Sequence, residues 1–143
     1  MTTDNALWDV QTALYARLTG STALTSLFPR GAENIGDHIL EETGYPRVTI
    51  GTVQSRPLGG AAFSGNETTV ELEVFSRAMG MKEARVIMAE IIALLHEADF
   101  TVPHRTLVEC RLVAAKTAIA AAPADNQVFR TGRLRFRILT END

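Results

Sequence analysis

The stretch GRLRFRIL, Gly132–Leu139, sets Arg133, Arg135 and Arg137 against Leu134, Phe136 and Ile138. Alternation with a period of two marks a β-strand, whose successive side chains point to opposite faces. The apolar set belongs against a core and the arginines belong toward water. VELEVF, Val70–Phe75, carries the complementary pattern, with Val70, Leu72 and Val74 inward and Glu71 and Glu73 outward. If the two strands are neighbours, each outward carboxylate lies across from an outward guanidinium, and each such pair contributes roughly 0.2–1 kcal/mol. Phe129 and Phe136 are both expected on the inner side, which leaves the arginine row without the stacking aromatics of sheet-based nucleic-acid readers.

Working outward, Arg47–Val53 alternates in the same way behind Pro46, and Thr68–Arg77 forms the next strand. Between them SRPLGGAAFSGNE, with three glycines and a proline, reads as a long mobile hairpin loop. Leu107–Ala115 and Gln127–Leu139 supply two further strands, joined by the small and turn-forming residues Ala120–Asn126. Helical spacing of Leu7, Val10, Leu14 and Leu18 predicts a first helix over Asp4–Leu18, capped by Asp4 or Asn5 and stopped at Gly20. Ser21 caps a short helical turn through Leu27, and Arg30–Tyr45 reads as an irregular connection. Ala84, Ile87, Met88, Ile91, Leu94, Leu95 and Ala98 share one face of a second long helix over Met81–Ala98. The expected fold is α+β with two layers: a mostly antiparallel four-stranded sheet with two main helices on one face, spanning 1–143 as one domain.

The chain has 143 residues, 45% of them hydrophobic and 22% charged, which is ordinary globular usage. A formal net charge of -3 argues against nonspecific nucleic-acid binding as the main activity, which depends on neutralising many phosphates with excess Lys and Arg. Cys110 is the only cysteine, so an intrachain disulfide is excluded and a buried thiol is expected. The N-terminus carries Asp4 where a secretory signal would carry positive charge, and Leu112–Pro123, broken by Lys116, is too short to span a bilayer.

No set of residues with catalytic, cofactor-binding or metal-ligating spacing stands out. His38, His96 and His104 lack zinc-type spacing, since His96 ends a helix and His104 follows Pro103 in a turn. Gly60–Gly65 has the glycines of a phosphate loop, but Asn66 and Glu67 follow where lysine and a hydroxyl residue are required. No nucleophile elbow is present, and an enzyme ranks below a structural protein and below a small cytoplasmic ligand-binding or regulatory module.

The order and spacing of ALWDVQTALYARL, YPRVTIG, TTVELEVFSRAMGMKEARVIMAEIIALLHEADF and GRLRFRIL resemble those of the tail-completion, or tail-terminator, proteins of tailed phages and gene transfer agents. The resemblance implies a virion structural protein, made in the host bacterial cytoplasm and located at the head–tail junction, without enzyme activity, cofactor or metal. It implies a homo-oligomeric ring, hexameric, that ends tail-tube polymerisation and joins the tail to the head connector or stopper, with DNA passing through rather than being read. Its candidate subunit or partner contacts are the loop residues Arg56, Leu58 and Phe63, and on the charged face Glu71, Glu73, Arg133, Arg135 and Arg137. Whether the arginines pair within one subunit, across the ring or toward DNA is left open by the sequence, with DNA ranked last on net charge.

Overall fold

The computed structural model describes residues 5–60, 63–121 and 128–142. In chain order these form α1 (Ala6–Thr19), α2 (Thr22–Thr25), β1 (Ile35–Gly36), β2 (Arg47–Gly59), β3 (Ser64–Ser76), α3 (Lys82–Leu95), β4 (Arg105–Ala121) and β5 (Val128–Asn142). The sheet order is β1-β2-β3-β5-β4. All pairings are antiparallel except that of β1 with β2.

The α+β class therefore holds, but the sheet has five strands and mixed orientation rather than four. The additional strand is only two residues long and carries no alternation for a sequence pattern to reveal. It is held by Asn34, whose buried side-chain amide donates to the carbonyls of Thr43, Gly44 and Pro46 at 3.3, 3.2 and 3.1 Å. Its Oδ1 accepts from the Arg30 N–H at 2.9 Å. Asn34 thus shapes the irregular connection, and Ile35 and Gly36 fall beside Val48 and Thr49.

The expected mobile loop over Ser55–Glu67 is a second correction. β2 continues to Gly59 and β3 begins at Ser64, so most of that stretch is a paired ribbon. Glycine and proline suggested a loop, yet each has a place in this ribbon. Pro57 lies on an outer strand, where a missing N–H is tolerated. Gly59 has φ 138°, and a Cβ there would collide with the Phe63 carbonyl. Gly65 stands opposite Leu58 and accommodates the Phe63 ring. Similarly, β4 runs on to Ala121, so alanines expected to link strands extend one instead.

The helices lie where the apolar periodicity puts them. Asn5 Oδ1 accepts from the Trp8 N–H at 3.3 Å to cap α1, while Asp4 lies outside the described residues. Val10, Ala13, Leu14 and Leu18 bury, but Leu7 is 45% exposed. Helix α3 buries Ala84, Ile87, Met88, Ile91 and Leu95 and stops at Leu95, short of the expected Ala98. It ends there because the following backbone turns to the sheet: the Glu97 N–H donates to the Cys110 carbonyl at 2.7 Å. Both helices pack on the sheet face formed by Val48, Ile50, Val70, Leu72, Val74, Cys110, Leu134, Phe136 and Ile138. Each large side chain buried there contributes about 1.5–3 kcal/mol.

Two contacts invisible to periodicity fix the helix layer. Arg105, almost fully buried, donates to Asp9 of α1 at 3.1 Å, to Asn66 of β3 at 2.9 Å and to Asn142 of β5 at 2.7 Å, joining helix and sheet. Gly132 faces α3 so closely that a Cβ would collide with Met88 Sδ. Gly132→Val should destabilise the fold by about 1–3 kcal/mol through overpacking. The Gly132→Val/Met88→Ala double variant should recover part of that loss in urea denaturation, and simple additivity would contradict a shared contact.

Candidate functional site

The helices cover only one side of the sheet. Its other side is an open polar face assembled mainly from β3 and β5, whose register puts Glu71 opposite Arg135 and Glu73 opposite Arg133. Arg135 donates through Nη2 and Nε to Glu71 Oε2 at 2.7 and 3.2 Å. Arg133 Nη2 reaches Glu73 Oε2 at 3.3 Å. Arg133 and Arg135 are thus paired within the chain, one of the alternatives that the sequence leaves open.

Arg137 lies opposite Thr69 and turns to Glu67 one step further along β3, at 3.2 Å. Glu67 in turn accepts from Arg56 of β2 at 2.6 Å, and Arg137 also lies 4.0 Å from Glu109 of β4. Arg111, directly opposite Arg137 on β4, is 3.0 Å from Glu109 and donates to Glu97 at 2.9 Å. Carboxylates and guanidiniums therefore alternate across four strands and onto the segment after α3. The Arg56 hydrogen bond, and secondarily Arg137, hold the Glu67 carboxyl below its ordinary 4.5 against the opposing effect of burial.

The remaining sequence-selected positions lie on the distal ribbon. Leu58 is half-buried near the tip and Phe63 is 36% exposed beside it, where the Gly60 N–H closes the turn onto the Phe63 carbonyl at 2.9 Å. The structure thus brings Arg56 into the charged ladder, with Leu58 the next residue on that face of β2 and Phe63 in the turn beyond it. Residues 61–62 lie outside the described residues.

At the opposite end of the same face is a cluster that the sequence reading misplaced. Phe129 shares the odd-numbered parity of the arginines, so it lies on the outer side and not with Phe136. Its ring is 5.1 Å from Tyr45 and 6.2 Å from Phe75. The Arg77 guanidinium sits 4.3 Å over Tyr45 and 4.8 Å over Phe129, and that of Arg47 sits 4.1 Å over Tyr45. These rings are covered by cations of their own chain. The parity of Phe129 was available in the sequence, whereas the approach of Tyr45 and Arg77 depends on the fold.

Other chemistry-bearing groups are dispersed. His38 is exposed, His96 Nδ1 accepts from the Leu112 N–H at 3.0 Å, and His104 Nδ1 lies 3.4 Å from Asp9. Among the described residues no group of three or more His, Cys, Asp or Glu side chains could hold a metal ion. Cys110 is fully buried, and burial, followed by the nearby Glu109 charge, pushes its thiol up to about 12. That shift favours the protonated thiol, the form that is not nucleophilic, at neutral pH. No helix among the described residues is long and apolar enough to cross a membrane.

The family described as tail completion protein gp17 matches residues 12–141 of this chain. Among solved structures, a chain from one described as "Virion of native gene transfer agent (GTA) particle" has the same fold, with a TM-score of 0.79 at 20% sequence identity. The match covers 97% of this chain and 100% of that one. No curated protein matches.

The depressed Glu67 pKa gives the ladder a testable pH dependence. Because the folded carboxyl is more acidic than the unfolded one, Glu67 stabilises the fold above its ordinary 4.5, and that contribution is lost as pH falls through the lower folded value. Glu67→Gln should reduce stability near neutral pH and flatten its decline on acidification. Denaturant titrations at pH 7 and in the acid range that show identical slopes for variant and parent would contradict this.

Proposed function

The chain belongs to the family of tail completion protein gp17 and is a tail structural protein; on that premise we propose that its copies form a ring, hexameric, at the head-proximal end of the tail tube. The ring ends tube polymerisation and presents a surface to the head-side connector or stopper. It works in the virion by recognition and closure, without a chemical step. The family match over residues 12–141 is the observation that carries this reading. The gene-transfer-agent virion chain adds a fold likeness along the whole length.

The architecture suits such a role. A ring requires one heterologous contact repeated until the rotation closes. A sheet covered on one side only offers a broad second side, and its strands extend past the helices at both ends. We assign neighbour or partner contact to Arg133, Arg135, Arg137, Glu71, Glu73 and Arg56 on the open face, and to Leu58 and Phe63 at the ribbon tip. The proposed partners are further copies of the chain, the tail tube protein and the connector. DNA passes through the ring without being read. The existing Arg–Glu pairs favour a protein neighbour, since guanidiniums already bound to carboxylates have little free charge for phosphate.

Exchanging one ion pair separates contact from folding. The Glu71→Arg/Arg135→Glu double variant retains an opposite-charge pair, so its stability should stay within about 1 kcal/mol of the parent. A neighbour would nevertheless meet reversed charges, and ring formation and tail capping should fall. Light scattering and electron microscopy of tails read this directly; unimpaired rings and normal tail length would remove the face from the interface. Deletion of Gly59–Gly65 should independently reduce joining of tails to heads, and full joining would clear the ribbon tip of a contact role.

A further inference from the structure

The sheet has two outer edges, and the chain treats them differently. β1 covers the start of β2, and further along Pro57 has no N–H to offer a new strand. On the opposite edge, the first part of β4 is capped by the turn after α3. There the Glu97 N–H donates to the Cys110 carbonyl and the Leu112 N–H donates to His96 Nδ1, at 2.7 and 3.0 Å. Beyond Leu112 the side of β4 away from β5 has no described strand or turn bonded to it.

Pairing identifies which groups point from that edge. Cys110 and Leu112, directed outward, stand opposite the even-numbered Ile138 and Phe136. After the bulge at Val113, Ala115, Thr117 and Ile119 stand opposite the even-numbered Leu134, Gly132 and Arg130. In an antiparallel ladder these occupy the equivalent phase, so their N–H and C=O groups face away from β5. Val113–Ala120 has no proline, and its alanines at 114, 115, 118 and 120 leave the backbone easy to approach. Among the described residues the outer side of this stretch has no backbone partner, and its edge devices are the bulge at Val113 and the charge of Lys116.

The side chains around this edge specify what would fit. On the open face Lys116 stands directly opposite Arg133, whose carboxylate partner Glu73 lies on the far side in β3. Lys116 has no carboxylate partner among the described residues. On the helix-side face, Ile119 is 62% exposed and Val128 is 42% exposed. The other edge of a second copy would bring Pro57 and Arg56, and this same edge would bring a second Lys116; both are poor matches. We propose that Val113–Ala120 is a strand-addition site for an extended segment of a different polypeptide, one in which carboxylate and apolar side chains alternate. Its carboxylates lie toward Lys116 and its apolar residues toward Ile119, with backbone hydrogen bonds supplying the remaining recognition.

β3 has this alternation, and a synthetic peptide of residues 68–75 is the probe. Hydrogen exchange of the intact protein should show new protection at Val113–Ala120 when the peptide is added. Binding by fluorescence anisotropy should weaken roughly tenfold for the peptide carrying Glu71→Lys and Glu73→Lys, and for protein carrying Lys116→Glu. Ala115→Pro, which removes an edge N–H, should weaken binding of the original peptide while retaining the parent thermal unfolding profile. If it does not fold, the two charge reversals carry the test. Unchanged exchange at saturating peptide, or affinity indifferent to both charge reversals, would overturn the proposal. So would protection of this edge in the peptide-free protein with dimer formation, which would make a second copy the occupant.

Discussion

The register between β3 and β5 is the constraint on which the rest of the structure depends. It places Val70, Leu72 and Val74 beside Phe136, Leu134 and Gly132 under the helices, while Glu71 and Glu73 meet Arg135 and Arg133 outside. Because sheet side chains alternate strictly, a one-residue reorientation of either strand would turn its charges into the core and its apolar residues into water. The exposed ion pairs contribute little individually. Their larger effect is selective: they agree with the hydrophobic pattern, so local and global preferences choose the same pairing.

Once that pair is fixed, the layers around it have little freedom. α3 can lie over β5 because Gly132 leaves room for Met88. α1 is fastened at the sheet corner by Arg105, whose buried charge is compensated by Asp9 and whose remaining donors reach Asn66 and Asn142. A buried guanidinium with one partner removed would carry a substantial desolvation cost, so this contact specifies where the helix sits more than it adds net stability. With both helices on one side, polar side chains on the other must satisfy one another or meet another molecule.

Strand periodicity made much of this legible because alternation reports directly on which face is buried. GRLRFRIL and VELEVF disclosed both the core side and the acidic and basic partners of the open face. What escaped were features without a period: the two residues of β1, positioned through Asn34, and the helix end at Leu95, set by a distant carbonyl on β4. The ribbon was missed because Pro57, Gly59 and Gly65 read locally as breakers, although each occupies an edge, a turn or a close approach where its special geometry fits. The outer aromatic cluster escaped for two reasons: Phe129 was assigned the wrong parity, and its arginine covers come from distant segments. Of the candidate contact residues, Glu71, Glu73, Arg133 and Arg135 pair as their alternation suggested, Arg56 and Arg137 meet at Glu67, which no pattern singled out, and Leu58 and Phe63 lie at a strand end and its turn rather than in a loop.

The two edges of the sheet connect this construction to assembly. At the start of β2, at Pro57 and along early β4, backbone groups are occupied or blocked by β1, the proline ring, His96 and Glu97. Those devices limit indiscriminate strand pairing, the principal hazard for an open sheet. Where β4 passes the turn following α3 its outer side has no described backbone partner, the side chains become alanine-rich, and Lys116 has no carboxylate partner among the described residues. A sheet whose register is enforced by opposite-charge pairs thus ends in a strand that lacks the corresponding acidic neighbour. The same pairing rule that orders β3 against β5 therefore gives the open edge a chemical preference: an incoming strand is favoured when it repeats the alternation of β3 and disfavoured when it repeats that of β5.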